Sequence, residues 1–346
     1  MNPKLYDRMF TESDQRCLDR LADFLPERVF DAHIHLYRGE FLPNVSQTEP
    51  AIFSDENFGF AAFASAMSDY FPQLKELKAM SVPMPDIAFA DKSNGIRDRY
   101  AAWMSEEASR NPGKLFGAVM VLPGDTEEDI MKLLGPGITS LKCYQIYSPN
   151  KEFAAMDEFL PESAWAVADH LGLTITVHLA RMQALSDPDN MRQILDHTAR
   201  YPNAKLILAH SGHTFAGHYA VDDAEKLLGR DNIWFDLAAI CEVPATLRLM
   251  KLFGSSRFLW GTDCPIGLQK GHCVKLGSGF FWLTGKCFRD LVETHQPYAD
   301  SVMFMTEELT MLADVAEFAG LSRTEVEHIF YDNANQLFGE IADRIK

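Results

Sequence analysis

A net charge of −17 on a chain of 346 residues makes a surface that repels phosphate backbones and anionic headgroups, which excludes nucleic acid and membrane as partners. The apolar fraction of 47% and charged fraction of 23% are those of a globular protein, long enough for two ordinary domains or one large α/β barrel. Six cysteines without a C-x-x-C pair read as reduced thiols, the first ten residues lack a signal peptide's apolar run, and no stretch approaches the ~18 apolar residues of a membrane span. A cytoplasmic location is the expectation.

The first periodic segment predicts a short helix over Glu12 to Leu25, with Leu18, Leu21 and Leu25 inward. An apolar strand follows, Val29-Phe30-Asp31-Ala32-His33-Ile34-His35-Leu36. Strand side chains alternate faces, so His33 and His35 are expected on one side and Ala32, Ile34 and Leu36 on the other. Two imidazoles side by side on a rigid strand are half of a metal site. Residues 37–80 are rich in aromatics without sustained period and read as partly helical cover over the mouth of the site.

Short β-branched runs then alternate with amphipathic segments. Strands are predicted at Met80 to Ala90, Leu115 to Val121, Ile138 to Tyr144, Leu173 to Leu179, Ala204 to His210, Ile233 to Leu237 and Arg257 to Asp263. Among the helices between them, Asp125-x-x-Glu128 reads as a capping box and Asp187-Pro188 as an N-cap with proline in the first turn. A second long insertion spans 264–306. The last helix opens at Ser322-x-x-Glu325 and carries Val326, Phe330, Ala334, Leu337 and Phe338 on its inner stripe. Eight strands with helical crossovers predict one α/β domain over residues 1–346, a closed (β/α)8 TIM barrel with long insertions after strands 1 and 8. Both insertions, 37–80 and 264–306, are expected to cover the active site.

Such barrels build their sites at the C-terminal strand ends, and here five ends carry residues that bind metal or move protons. They are His33 and His35, the Lys142-Cys143-Tyr144 triplet, His178, His210 and Asp263. The motifs Asp31-Ala32-His33-Ile34-His35, Val177-His178, Leu208-Ala209-His210, Gly261-Thr262-Asp263 and Asn333-Ala334-x-x-Leu337-Phe338-Gly339 resemble the amidohydrolase superfamily. Within it they are similar to the amidohydrolase-related (amidohydrolase 2) branch of hydrolases, lactonases and non-oxidative decarboxylases. The resemblance implies that His33, His35, His178 and Asp263 bind a divalent metal, with His210 beside it. It also implies that Lys142, if carboxylated, could bridge to a second ion held by His178 and His210, as in dihydroorotase-like members.

Nitrogen ligands with one carboxylate suit Zn²⁺ and equally Mn²⁺, Fe²⁺ or Co²⁺, one or two ions per chain. The expected activity is hydrolysis of an amide, ester or lactone bond in a small organic substrate by metal-activated water, with Asp263 and His210 catalytic. The first rival is a metal-dependent decarboxylase of an aromatic or unsaturated acid; the second is a silent barrel used as a binding module. Arg181, three residues past His178, is a candidate for holding a substrate carboxylate or else a surface arginine paired with acidic neighbours. His213 and His218 read as loop residues, with substrate contact the less favoured alternative. Whether the chain forms a homo-oligomer is left open.

Overall fold

Parallel pairing runs through eight strands in sequence order: β1 (Arg28–Ile34), β2 (Glu76–Ser81), β3 (Leu115–Met120), β4 (Ile138–Tyr144), β5 (Thr174–His178), β6 (Lys205–Leu208), β7 (Ile233–Asp236) and β8 (Phe258–Leu259). The computed structural model describes residues 10–45, 57–215, 221–277, 279–295 and 301–344. The ring closes between β1 and the chain after β8. Ala32 N donates to Trp260 O at 2.8 Å, Asp263 N to His33 O at 2.9 Å and His35 N to Cys264 O at 2.7 Å. No helix among the described residues is long and apolar enough to cross a membrane.

Helices cover the outside: α1 (Glu12–Arg20), α2 (Phe60–Tyr70), α3 (Ile96–Arg110), α4 (Glu127–Leu133), α5 (Glu162–Leu171), α6 (Pro188–Arg200), α7 (Val243–Phe253), α8 (Gly285–His295), α9 (Phe304–Ala319), α10 (Arg323–Glu327) and α11 (Asn333–Arg344). The Asp187 carboxylate caps α6 by accepting from Asp189 N and Asn190 N, as the Asp-Pro pair predicts. At α4 the cap lies one residue later than expected. Thr126 and Asp129 form the capping box, while the Asp125 carboxylate turns inward to Leu122 N at 2.8 Å and Arg97 at 2.6 Å. The first helix stops at Arg20 rather than Leu25, and the last is divided into α10, a wide turn over His328–Asp332, and α11.

Two strand expectations are corrected, each by local backbone chemistry. The predicted second strand, Met80 to Ala90, is instead Glu76–Ser81, because Pro83 and Pro85 have no N–H to donate to a ladder and the chain leaves the sheet before them. Simple alternation fails in β1. Asp31 pairs with Ala79 and Ile34 with Ser81, so β1 has one residue more than its neighbour over that interval, a bulge. Ala32 therefore faces the barrel interior with Phe30, in an apolar cluster with Met80, Phe116, Ile207 and Leu259. The bulge turns His33 inward as well, and His35 follows it.

That inner cluster closes the N-terminal end of the barrel against α11. Phe30 stacks on Phe116 at 5.5 Å and on Phe338 at 5.4 Å between centroids. The insertions are anchored by buried polar ties. The Asp14 carboxylate of α1 accepts from Met303 N at 2.6 Å and Thr306 Oγ1 at 2.8 Å and pairs with buried Lys270 at 3.2 Å, which ties the second insertion to the chain's start. It contains an antiparallel hairpin, β9 (Gly271–Leu276) with β10 (Gly279–Thr284). The first insertion is tied to Asp86, beyond β2, which accepts from Asn44 N at 2.9 Å and Val45 N at 3.0 Å; residues 46–56 lie outside the described residues.

Truncating the plug tests this division between floor and mouth. Phe338→Ala should destabilise the fold by about 3–5 kcal/mol through lost burial and a cavity, read by urea unfolding. Metal content should stay that of the parent protein.

Candidate functional site

The β1 bulge brings His33 and His35 to face Asp263 across the closing seam. His35 Nε2 lies 2.9 Å and His33 Nε2 3.6 Å from Asp263 Oδ1, and all three side chains are buried. Their outer nitrogens are committed elsewhere. His35 Nδ1 is 2.9 Å from the carbonyl oxygen of Val82, which can only accept, so the ring proton of a neutral His35 sits on Nδ1. His33 Nδ1 is 2.9 Å from Asp236 Oδ2 and is fixed the same way. Both Nε2 lone pairs are then aimed at a carboxylate. Lone pairs confronting one another inside a protein require a positive charge between them, either a ring proton or a metal ion. Buried imidazoles whose other nitrogen donates to a carboxylate or carbonyl are the supporting pattern of metal-ligating histidines, and the donor set fits a divalent cation.

The electrostatics keep these groups in ligand form. Burial pushes His33 down to about 4, with the Lys142 charge acting in the same direction against Asp236. Burial alone would raise the Asp263 carboxyl, yet the His35 hydrogen bond and the charges of His35, His210 and His33 hold it well below the usual carboxylate range.

Asp236, at the C-terminal end of β7, escaped the sequence reading, although a carboxylate ending an apolar Ile-Trp-Phe strand was a legible signal. Besides orienting His33, it accepts from His210 N at 2.7 Å and Ala238 N at 3.3 Å. With His33 and His210 it forms a second group of closely spaced donors. His210 lies just past the end of β6 with φ +53°, and Asp263 has φ +55°; such left-handed backbone at non-glycine residues concentrates where side chains are aimed for function. Asp31 faces outward from β1 and staples the seam, accepting from Thr262 Oγ1 at 2.6 Å and from the N–H groups of Thr262 and His33 at 3.1 Å each.

Lys142 points inward from β4 and is fully buried, and its Nζ has no hydrogen-bond partner among the described residues. Burial pushes it down to about 8, against the pull of Asp236 and Asp263. His178 ends β5 with its ring 5.0 Å from that of His210 and 5.0 Å from that of His213. Burial, helped by the charges of His210, His213 and Lys142, holds it well below the usual imidazole value. His178, expected as a metal ligand, lies at the edge of the site and outside the two tight donor groups. Beyond it, His213 meets Phe280 of β10 at 5.4 Å, and Phe215 meets Trp282 at 4.7 Å.

Arg181 does not join this assembly. Its guanidinium pairs with Asp187 at 3.0 Å and Asp189 at 2.8 Å and donates from Nε to Phe153 O at 3.0 Å, so it secures the cap of α6. Of its two readings, these contacts match the arginine paired with acidic neighbours. His218 lies outside the described residues.

An eight-stranded parallel barrel that gathers imidazole and carboxylate donors at its C-terminal mouth defines the class: a (β/α)8 barrel with a site built from its strand ends. The chain belongs to the amidohydrolase family, whose family model matches residues 30–339. It is 26% identical over 132 residues to L-fucono-1,5-lactonase of Burkholderia ambifaria, a match covering 33% of this chain and 44% of the lactonase. The chain thus spans less than half the length of the curated relative it matches. Among solved structures, an amidohydrolase from Burkholderia multivorans with bound zinc superposes with TM-score 0.55 at 14% identity over 90% of this chain and 99% of that one. The 5-carboxyvanillate decarboxylase LigW from Sphingomonas paucimobilis superposes with TM-score 0.54 at 12% identity over 91% and 99%. These likenesses show the fold.

If Asp236 orients His33, Asp236→Asn should weaken zinc affinity by roughly 10–100-fold while the fold survives, measured by chelator competition. An affinity equal to the parent's would remove Asp236 from the site's support.

Proposed function

We propose that this protein is a metal-dependent hydrolase that opens an amide, ester or lactone bond of a small organic molecule. The observation that carries the reading is the buried confrontation of the His33 and His35 Nε2 lone pairs with the Asp263 carboxylate. In this reading His33, His35, Asp263 and, at the edge, His178 hold a divalent ion, with zinc first among the candidates because imidazole and carboxylate donors suit it. The lactonase relative supports a hydrolytic outcome. When bound, the ion supplies a water acidified to a pKa of ~7 and polarises the substrate carbonyl.

The chain's own residues do the rest. Asp263, kept ionised well below neutral pH, accepts a proton from the attacking water and returns it to the leaving oxygen or nitrogen. His210 has its Nδ1 2.8 Å from Ala238 O, so its Nε2 lone pair is presented to the same centre as a ligand or proton acceptor. Burial pushes Lys142 down to about 8, which favours the neutral amine, the form that reacts with CO2 to give a carbamate and a proton. A carbamate there would let a second ion sit with His178 and His210. The hairpin of the second insertion, with Phe280 and Trp282 against His213 and Phe215, serves as cover that keeps bulk water out.

The test is turnover of a panel of lactones, esters and cyclic amides, with CO2 release from aromatic acids monitored in parallel. Asp263→Asn should lower kcat by ~10²–10⁴-fold. Chelation should abolish turnover and added Zn²⁺ restore it. Hydrolysis that survives complete metal removal would sink the reading, and CO2 release without hydrolysis would replace it with the decarboxylase.

A further inference from the structure

Helix α9 sends one carboxylic acid into the barrel mouth that the chemistry above does not use. Glu308 is 2% exposed. Its Oε1 accepts from Ala239 N at 2.8 Å, and its Oε2 has no hydrogen-bond partner among the described residues. A buried carboxyl this sparsely bonded is costly, which calls for a reason to keep it.

The reason lies in what Ala239 is made to do. Residues Leu237 to Ile240 form a turn closed by Ile240 N donating to Leu237 O at 3.2 Å, and the third residue, Ala239, has φ +57°. That position in such a turn favours glycine, and alanine occupies it under strain. The turn follows Asp236 directly, and its second residue, Ala238, supplies the carbonyl that meets His210 Nδ1 at 2.8 Å. The Ala238 N–H is in turn 3.3 Å from Asp236 Oδ1, the atom that also accepts from His210 N. The direction of the His210 ring therefore depends on one peptide plane, Ala238–Ala239, and Glu308 holds that same plane by accepting from its N–H.

We propose that Glu308 is a positioning residue of the site: its side chain holds the strained turn at Ala239, and through the Ala238 carbonyl that turn aims His210 Nε2 at the reacting centre. The electrostatic setting agrees. Burial pushes the Glu308 carboxyl well above the usual carboxylate range, and the charges of Asp263, Asp31 and Asp236 add to this. A neutral carboxyl still offers the carbonyl oxygen that Ala239 N requires, without adding a charge beside Asp263. The inference rests on the functional reading above only in giving His210 a part in the reaction.

Glutamine preserves the acceptor and the shape, whereas alanine removes both. Glu308→Gln should retain most of the activity. Glu308→Ala should lose about tenfold or more in kcat with KM little changed, as expected when a reacting group is misaimed while the pocket persists. The decisive variant is Glu308→Ala combined with Ala239→Gly, because glycine adopts the left-handed turn without help. The pair should recover kcat to within about threefold of the parent. A readout independent of turnover is the downfield proton resonance of His210 Nδ1–H in the apoprotein, assigned by its disappearance in His210→Gln. It should be lost or moved in Glu308→Ala and return in the double variant. Undisturbed resonance and kcat in Glu308→Ala, or a double variant no better than Glu308→Ala, would overturn the proposal. If no substrate of the panel were turned over, the resonance would still decide it, so its failure is distinguishable from failure of the hydrolase reading.

Discussion

The seam where β1 meets the chain after β8 brings two histidine lone pairs and one carboxylate together in a buried space. Each is fixed from behind, His35 by Val82 O, His33 by Asp236, and the backbone of Asp263 by its N–H bond to His33 O. Three acceptors facing one another would repel in a low-dielectric interior unless a proton or a metal ion lay between them. The rest of the architecture can be understood as support for that arrangement. Asp31 ties β1 to Thr262 across the seam, the aromatic floor around Phe30 and Phe338 keeps the opposite end shut, and the Asp14–Lys270 pair anchors the second insertion whose hairpin lies beside the mouth.

Strain accumulates around the same point. His210, Ala239 and Asp263 all take left-handed backbone without being glycine. Each lies just beyond a barrel strand, where the chain must leave the sheet sharply while directing a side chain or carbonyl inward. Such geometry costs about 1–3 kcal/mol per residue and persists because surrounding hydrogen bonds hold it. Asp236 carries much of that burden for His210, and Glu308 for Ala239.

Much of this was legible in the sequence because strand periodicity and strand-end chemistry are local. The eight-strand count, the inward histidines of β1, and the arrival of Lys142, His178, His210 and Asp263 at one mouth all follow from short patterns. What escaped depended on pairing between distant segments. The β1 bulge, which places Ala32 inside, exists only relative to the register of β2. For Arg181 the local sequence left two readings open, and the start of α6 presents Asp187 and Asp189 to it. Asp236 ended a predicted strand, yet its importance comes from His33, far away in the chain. Glu308 sits in a helix, where a single glutamate gives no signal of facing a turn of β7.

The family relationship and the barrel fit both hydrolysis and decarboxylation; what separates them is the fate of the substrate, not the scaffold. Both rest on the same claim, that the seam is a cation site. The measurement that tests it most directly is an anomalous-difference map at the zinc absorption edge from crystals of the zinc-reconstituted protein. The account predicts a peak bonded to His33 Nε2, His35 Nε2 and Asp263. A map without a peak there, with His35 bonded directly to Asp263 through a ring proton, would contradict it.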